Sequence, residues 1–193
     1  MDFVFAAVLG FLLGSIPFGL ILTRAAGLGD VRNIGSGSIG ATNVLRTGNK
    51  GLAAATVLLD AAKAVVPILI AGALWSGTEG VAAVAAVAGH CFTPWLKFKG
   101  GKGFASAAGA LGALAFPAFF VCAMIWVASL AISRISSVSS LVSVIAAPLV
   151  AWGMGYPQII APLIAIAAIV IVQHRANISR LMRGEEPKVG GGT

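Results

Sequence analysis

Five long apolar runs constrain the fold of this chain more than any other feature. They cover residues 3–23, 51–75, 80–96, 104–133 and 137–173. A helix needs about 20 apolar residues to cross the hydrocarbon core of a bilayer. Inside that core, backbone polar groups must be satisfied within the segment itself, which favours helices for runs of this kind. The sequence therefore predicts an all-α, polytopic membrane protein with a single integral membrane domain over residues 1–193.

The two longest runs are each too long for one crossing. Residues 104–133 make a run of 30, with Pro117 near its middle, and residues 137–173 make a run of 37 that contains Gly153 and Pro157. Splitting both runs at these breakers predicts seven transmembrane helices, some of them short. The predicted helices cover about residues 3–23, 51–75, 80–96, 104–115, 117–133, 137–153 and 157–174.

The distribution of basic residues favours seven crossings. The chain has 13 Lys and Arg against 6 Asp and Glu, and Lys63 is the only basic residue inside an apolar run. Cytoplasmic loops of membrane proteins carry an excess of Lys and Arg. With seven helices and the N-terminus outside, every loop Lys and Arg, together with the C-terminus, is cytoplasmic. With five helices Arg134 would lie outside.

Residues 97–103, Lys-Phe-Lys-Gly-Gly-Lys-Gly, form a basic glycine loop between two apolar runs. Glycine lets backbone N–H groups approach an oxyanion closely, and lysine supplies positive charge. The loop therefore predicts a phosphate site, although a basic segment that only flanks the membrane is an open alternative. The candidate substrate-binding residues here are Lys99, Gly100, Gly101, Lys102 and Gly103.

A second polar segment, residues 35–46, alternates glycine with Ser, Thr and Asn and ends in Arg46. The guanidinium of arginine is a forked donor suited to phosphate. The segment therefore predicts a site, in which the candidate residues are Ser36, Thr42, Asn43 and Arg46. A flexible linker is the alternative.

The third polar segment, residues 174–188, contains His174 and Asn177, which share a face if the preceding helix continues. A histidine can move a proton near neutral pH, although a lone histidine is also a common structural residue. The four basic residues around them are interpreted as membrane-surface anchors: Arg175, Arg180, Arg183 and Lys188. In the seven-helix arrangement all three polar segments lie on the cytoplasmic face and can form one site. The glycine-rich end after this segment, residues 189–193, is predicted to be a frayed tail.

Asp60 and Lys63 lie inside the second predicted helix, three residues apart. Charges within the membrane are costly and are usually paired or functional. This pair either fixes helix packing or supports a loop of the site, and the role of nearby His90 is open. Ser137 lies at the start of the sixth predicted helix, where N–H groups point toward anions, so we predict a phosphate contact there, with helix capping as the alternative.

The residues that the chain lacks restrict its chemistry. Asp30, Glu185 and Glu186 are the only acidic residues on the predicted cytoplasmic face, too few for a carboxylate-held magnesium site. The glycine-rich ATP-binding loop ending in Lys-Ser/Thr is missing, so ATP hydrolysis is not expected. The His-x4-Asp pair typical of many glycerolipid acyltransferases is missing as well. We therefore predict an anionic substrate and no metal or cofactor. A transporter or binding protein for a phosphorylated metabolite is the alternative to an enzyme, but its charges would be expected at mid-membrane.

With three such segments in this order, the chain resembles the bacterial acyl-phosphate:glycerol-3-phosphate acyltransferase family. The matching pieces are Gly-Ser-Gly-Ser-Ile-Gly-Ala-Thr-Asn-Val-Leu-Arg (35–46), Gly-His-Cys-Phe through Phe-Lys-Gly-Gly-Lys-Gly (89–103), and His-Arg-Ala-Asn-Ile-Ser-Arg-Leu with Gly184-Glu185 (174–185). Two departures stand out, namely Ser38 where the family usually has Asn, and Thr93-Pro94 where Pro is expected directly after Phe92.

The resemblance implies transfer of a fatty acyl group from acyl phosphate to the 1-hydroxyl of glycerol 3-phosphate, giving lysophosphatidic acid and inorganic phosphate. This would be the first step of membrane phospholipid synthesis, in the bacterial cytoplasmic (inner) membrane, with the active site facing the cytoplasm. It implies functional roles for Ser36, Arg46, His174 and Asn177, and structural support from Glu185 as well as from Asp60 and Lys63. The expected partners are the two substrates and membrane lipids, with no nucleic acid and no obligate protein partner.

Overall fold

The structure, a computed structural model, describes residues 1–190, and all regular secondary structure in that range is helical. The α-helices in the described range are α1 (Asp2–Gly14), α2 (Phe18–Ala25), α3 (Ala41–Val44), α4 (Lys50–Leu74), α5 (Glu79–Cys91), α6 (Phe104–Leu114), α7 (Phe116–Ser133), α8 (Ser136–Gly153), α9 (Ile160–Gln173) and α10 (Arg175–Met182). Short 3₁₀ turns lie at Val31–Asn33, Leu45–Thr47, Pro94–Leu96 and Pro157–Ile159.

Each of the seven predicted helices has a counterpart in the structure, but two of them were wrongly predicted to run unbroken over their full length. The first predicted helix is broken into α1 and α2 at Ser15–Pro17, where proline cannot donate a backbone hydrogen bond. The third ends at Cys91 instead of residue 96, because Thr93 is extended ahead of Pro94.

The number of crossings stays a prediction. By length and hydropathy, four segments within residues 1–190 could span a bilayer: Asp2–Ala25, Lys50–Leu74, Phe116–Ser133 and Ser136–Gly153. A fifth is possible if Pro157–Gln173 and Arg175–Met182, which bend by 61° at their junction, count as one span. With 13 and 11 residues, α5 and α6 are short for a full crossing. The placement of the N-terminus outside is likewise a prediction.

Small residues bring the helix backbones of the bundle close together. A methyl group on Gly10 or Gly14 of α1 would overlap the carbonyl oxygens of Ala82 or Ala86 on α5. A methyl group on Gly109 of α6 would likewise overlap a backbone carbonyl of α4. Stripes of small residues spaced by four allow such approach in membranes, where packing replaces the hydrophobic effect between helices. The α1–α5 contact fixes where the C-terminus of α5 lies.

The break between α1 and α2 is stabilised by buried side chains from other parts of the chain. The hydroxyl of Thr93 donates to the carbonyl of Ser15 at 2.7 Å, and the ammonium group of Lys63 donates to the carbonyl of Ile16 at 2.7 Å. Trp95 Nε1 also donates to Ser15 Oγ at 2.9 Å. Carbonyls freed by a helix break need such partners within the bilayer.

Arg134 lies on the same face of the bundle as the C-terminal segment. The backbone N–H of Val189 donates to the Arg134 carbonyl at 2.7 Å, so Val189 is tied to the bundle. Residues 191–193 of the predicted tail lie outside the described residues. A shared face for Arg134 and residues 174–188 agrees with the seven-helix arrangement, since five helices would place them on opposite faces.

Candidate active site

The three polar segments converge on one cavity of about 170 Å³ at one end of the bundle. Its walls come from the loop after α2, the glycine loop before α6, and the junction of α9 with α10. The lining residues are Ser36, Gly37, Ser38, Gly100, Gly101, Lys102, Gln173, Arg175, Ala176, Asn177 and Arg180. The structure therefore assembles groups that are separated by more than 100 positions in the sequence.

The cavity includes some predicted site residues and adds others. The predicted residues that line it are Ser36, Gly100, Gly101, Lys102 and Asn177. Arg175 and Arg180 also line it, although the sequence favoured membrane anchoring for both. Arg180 follows Asn177 by three residues and so shares its helical face, which is the signal that could have placed Arg180 in the site. Ser38 lines the cavity as well.

Asn43 holds the first segment together from inside. Its amide group donates to the carbonyls of Val31, Ile34 and Ser38 at 2.7, 3.1 and 2.8 Å, and its oxygen accepts from the backbone N–H of Ser36 at 3.0 Å. The residue is 2% exposed. Since the amide is fully used within the loop, the geometry does not support the prediction that Asn43 binds substrate. It presents Ser36 to the cavity instead.

Arg46 lies beside the same loop, outside the cavity lining. Its Nη1 is 3.4 Å from the side-chain oxygen of Asn43, and a methyl group on Gly35 would overlap it. Gly35 also has a φ of +52°, so two constraints favour glycine there. Thr42 and Lys99, which were also predicted to bind substrate, are exposed and do not line the cavity.

The glycine loop does not offer the amides that the sequence suggested. The N–H groups of Gly100 and Gly101 donate to the carbonyls of Cys91 and His90, each at 3.0 Å. Gly103 has a φ of +86° and precedes α6. The first amide of α6 to bond back is that of Ala107, so the amides between the loop and Ala107 have no acceptor within the helix. The donors left for an anion are those of the α6 N-terminus.

Lys102 is the central cation of the cavity. Burial holds the pKa of Lys102 below its usual value; the carboxylate of Glu186 opposes this shift, whereas Arg180 and Arg46 add to it. The positive charges of Lys102, Arg180 and Arg46 thus lie near one another, and that of Lys102 is partly desolvated. A bound phosphate would relieve their repulsion and stabilise the charged ammonium group.

Glu186 organises the C-terminal part of the site. Its carboxylate accepts from Ser137 Oγ at 2.7 Å, from Arg180 Nε at 2.7 Å, and from the side-chain amide of Asn177. Burial favours the protonated carboxyl, but the hydrogen bonds from Asn177, Ser137 and Arg180 outweigh it and hold the pKa of Glu186 below its usual value. Ser137 therefore donates to a carboxylate, and the structure does not show the open phosphate contact that the sequence predicted.

The structure places Glu186, and not Glu185, in this supporting position. After α10, Gly184 has a φ of +71° and the N–H of Glu185 donates to the carbonyl of Arg180, which closes the helix. This turn sends the Glu185 side chain outward to Arg183, where it is 56% exposed. The Glu186 side chain is turned back and is 7% exposed.

His174 is buried at the junction of α9 and α10 and does not line the cavity. Its Nδ1 lies 2.8 Å from the carbonyl of Val170, which fixes Nδ1 as the protonated nitrogen and leaves Nε2 as the acceptor. Burial lowers the pKa of His174, while the bond to Val170 opposes the shift. Burial at this junction therefore favours the neutral imidazole.

Asp60 and Lys63 form the buried pair that their spacing suggested. Lys63 Nζ lies 2.7 Å from Asp60 Oδ1, and both side chains are 2% exposed. His90 Nδ1 lies 3.6 Å from the same oxygen. The pair contacts the α1–α2 break on one side, through Ile16, and the end of α5 on the other. Within residues 1–190, no cluster of three or more His, Cys, Asp or Glu side chains could hold a metal ion.

The sequence profile of the family described as glycerol-3-phosphate acyltransferase matches residues 4–184. This match covers nearly the whole chain, including every residue that lines the cavity. The chain belongs to this family. It is an integral membrane enzyme, and the fold with its several apolar helices is the fold of this family.

Relatives cover the chain almost completely. The glycerol-3-phosphate acyltransferase of Erythrobacter litoralis is 56% identical over 98% of this chain and 96% of its own length. That of Mesorhizobium japonicum is 53% identical over 97% and 96% of the two chains. The crystal structure of PlsY, an integral membrane glycerol 3-phosphate acyltransferase, in its glycerol 3-phosphate form superposes with a TM-score of 0.92 at 34% identity, covering 98% of this chain and 96% of that one. Its lysophosphatidic acid form superposes with a TM-score of 0.91.

Proposed function

We propose that this enzyme transfers a fatty acyl group from acyl phosphate to the 1-hydroxyl of glycerol 3-phosphate. The products are lysophosphatidic acid and inorganic phosphate, at the cytoplasmic face of the bacterial inner membrane. The observation that carries the proposal is the cavity itself, which places Lys102, Arg175 and Arg180 around one space. Both substrates carry a phosphate, and this surplus of cations suits two anions held close together.

We propose direct transfer. An acyl phosphate is a mixed anhydride and is already activated. The glycerol oxygen attacks the acyl carbonyl carbon, a new ester C–O bond forms, and the bond from that carbon to the phosphate oxygen breaks, with its electron pair leaving on phosphate. Lys102 and Arg180 stabilise the charge that develops on the leaving group.

The hydroxyl proton needs an acceptor. His174 lies outside the cavity lining. We therefore assign the proton to a phosphate oxygen of a substrate and give His174 an orienting role at the α9–α10 junction. Ser36 and Asn177, which do line the cavity, orient the substrates through hydrogen bonds.

The test uses purified protein, labelled glycerol 3-phosphate and three acyl donors: acyl phosphate, acyl-CoA and acyl carrier protein. We expect labelled product with acyl phosphate as the donor and none with acyl-CoA or acyl carrier protein. Transfer from either thioester without acyl phosphate would overturn the choice of donor.

A second experiment tests direct transfer. The enzyme is incubated with labelled acyl phosphate in the absence of glycerol 3-phosphate and then denatured. We expect no stable label on the protein. Stoichiometric label that survives in Ser38→Ala but disappears in Ser36→Ala would instead establish a covalent acyl-enzyme on Ser36.

A further inference from the structure

The glycine loop is attached to the C-terminal end of α5 by backbone bonds. The carbonyls of His90 and Cys91, the last two residues of α5, accept the N–H groups of Gly101 and Gly100. A methyl group on Gly100 would overlap the His90 carbonyl oxygen and come within 2.8 Å of that of Cys91. A methyl group on Gly103 would come within 2.9 Å of Cys91 Sγ. The three glycines therefore pack against the end of a helix.

Gly101 packs against a side chain, in contrast to Gly100. A methyl group at position 101 would overlap the His90 Nε2 atom and lie 2.7 Å from Cε1 and 3.0 Å from Cδ2. The His90 ring thus occupies the space that a side chain at position 101 would need. Gly101 does not have a positive φ, so left-handed backbone strain does not oppose alanine at this position.

The other edge of the His90 ring faces a buried carboxylate. It is 3% exposed, and its Nδ1 lies 3.6 Å from Asp60 Oδ1 on α4. Asp60 is in turn paired with Lys63 at 2.7 Å. The ring therefore lies between a buried ion pair and Gly101. Gly101 is the residue directly before Lys102.

We propose that His90 is a positioning residue for the phosphate site, and that glycine is required at 101 to make room for the His90 imidazole. His90 acts through the loop, since its ring fixes where the Gly101–Lys102 backbone lies and so where the Lys102 ammonium group meets the anion. The inference rests on the proposed role of this loop in holding glycerol 3-phosphate. It differs from the expectation that Gly101 is needed because its own backbone approaches the phosphate.

A double-mutant cycle separates the two explanations. His90→Asn retains a donor near the Nδ1 position and vacates the space at Nε2. In the native background Gly101→Ala should weaken glycerol 3-phosphate binding at least tenfold. In the His90→Asn background the same substitution should cost less than threefold. Titration of purified protein with glycerol 3-phosphate alone gives the dissociation constants and needs no acyl donor, so the result does not depend on which donor the enzyme uses.

Gly100→Ala is the matched control, because its methyl group would meet backbone oxygens that His90→Asn leaves in place. Its cost should be equal in the two backgrounds. The proposal would be overturned if Gly101→Ala weakened glycerol 3-phosphate binding equally in the native and His90→Asn backgrounds. If the Gly101→Ala single variant does not fold, the proposal would also be overturned by a Gly101→Ala, His90→Asn double variant that does not fold either. Restored folding in that double variant supports it. If native protein transfers acyl groups but does not bind glycerol 3-phosphate in the loop, Lys102→Ala will leave the dissociation constant unchanged, which identifies a failure of the proposed function.

Discussion

Glu186→Gln should destabilise the protein and weaken substrate binding, while Glu185→Gln should do neither. The Glu186 carboxylate accepts three hydrogen bonds with its two oxygens, from Ser137 and Asn177 on one and from Arg180 on the other. Glutamine has a single acceptor oxygen, so in either orientation its NH₂ group faces at least one of these donors. The neighbouring Glu185 contacts only the exposed Arg183 in this region and serves as the matched control.

The magnitude follows from the bond that is lost. A hydrogen bond to a charged group contributes about 1.5–3 kcal/mol, and the partial exposure of Arg180 places this one toward the lower end, at about 2 kcal/mol. For a chain of this size, 1 kcal/mol corresponds to a change in Tm of about 2–4 °C. Glu186→Gln should therefore lower the Tm in detergent by about 4–8 °C. The KM for glycerol 3-phosphate should rise as well, because Asn177 and Arg180 both lose the group that orients them.

The pH dependence supplies an independent check. The folded-state pKa of Glu186 lies below its unfolded value. Its stabilisation is therefore present above the unfolded pKa and is lost as the pH falls through the folded pKa. Thermal unfolding measured between pH 3 and pH 7 should show a smaller acid-induced loss in Glu186→Gln than in the native protein. Equal Tm values and equal acid limbs for Glu186→Gln and Glu185→Gln would refute this account of the C-terminal network.

Three further outcomes follow from the site and the topology. Asn43→Asp replaces the amide donor with a carboxylate oxygen that faces three carbonyl oxygens, so it should lower the Tm strongly, whereas Thr42→Ala beside it should not; a raised KM with an unchanged Tm would return Asn43 to substrate binding. Because the pKa of Lys102 is lowered and bound phosphate favours its charged form, the affinity for glycerol 3-phosphate should fall as pH rises through that pKa. Lys102→Arg should reduce this loss of affinity at alkaline pH, since arginine stays charged. If the pH dependence of the affinity is unchanged in Lys102→Arg, a group other than Lys102 is responsible for it. Finally, a cysteine at Arg134 in an otherwise cysteine-free variant should resist an impermeant thiol reagent added to intact cells, and labelling there would favour five crossings.

The sequence by itself determined the class of fold and the location of the site within the chain. Apolar runs of membrane length favour helices, because the backbone polar groups must be satisfied within each segment. The predicted helix ends agree within a few residues with the observed ends of α4, α6, α7 and α8. The density of glycine, hydroxyl and basic side chains was enough to locate the three segments whose residues line the cavity, among them Ser36, Lys102 and Asn177. These are local properties, readable from composition and spacing.

Tertiary structure decided which polar groups are free. Asn43, Ser137 and the amides of Gly100 and Gly101 have the right chemistry for phosphate, but each is already engaged by a partner far away in the sequence or across a loop. The choice of Glu186 over Glu185 depends on one left-handed glycine that reverses the chain after α10. A hydrogen-bonding group can serve a ligand only when the fold does not use it, and the fold's use of it is set by long-range packing that spacing in the sequence does not encode.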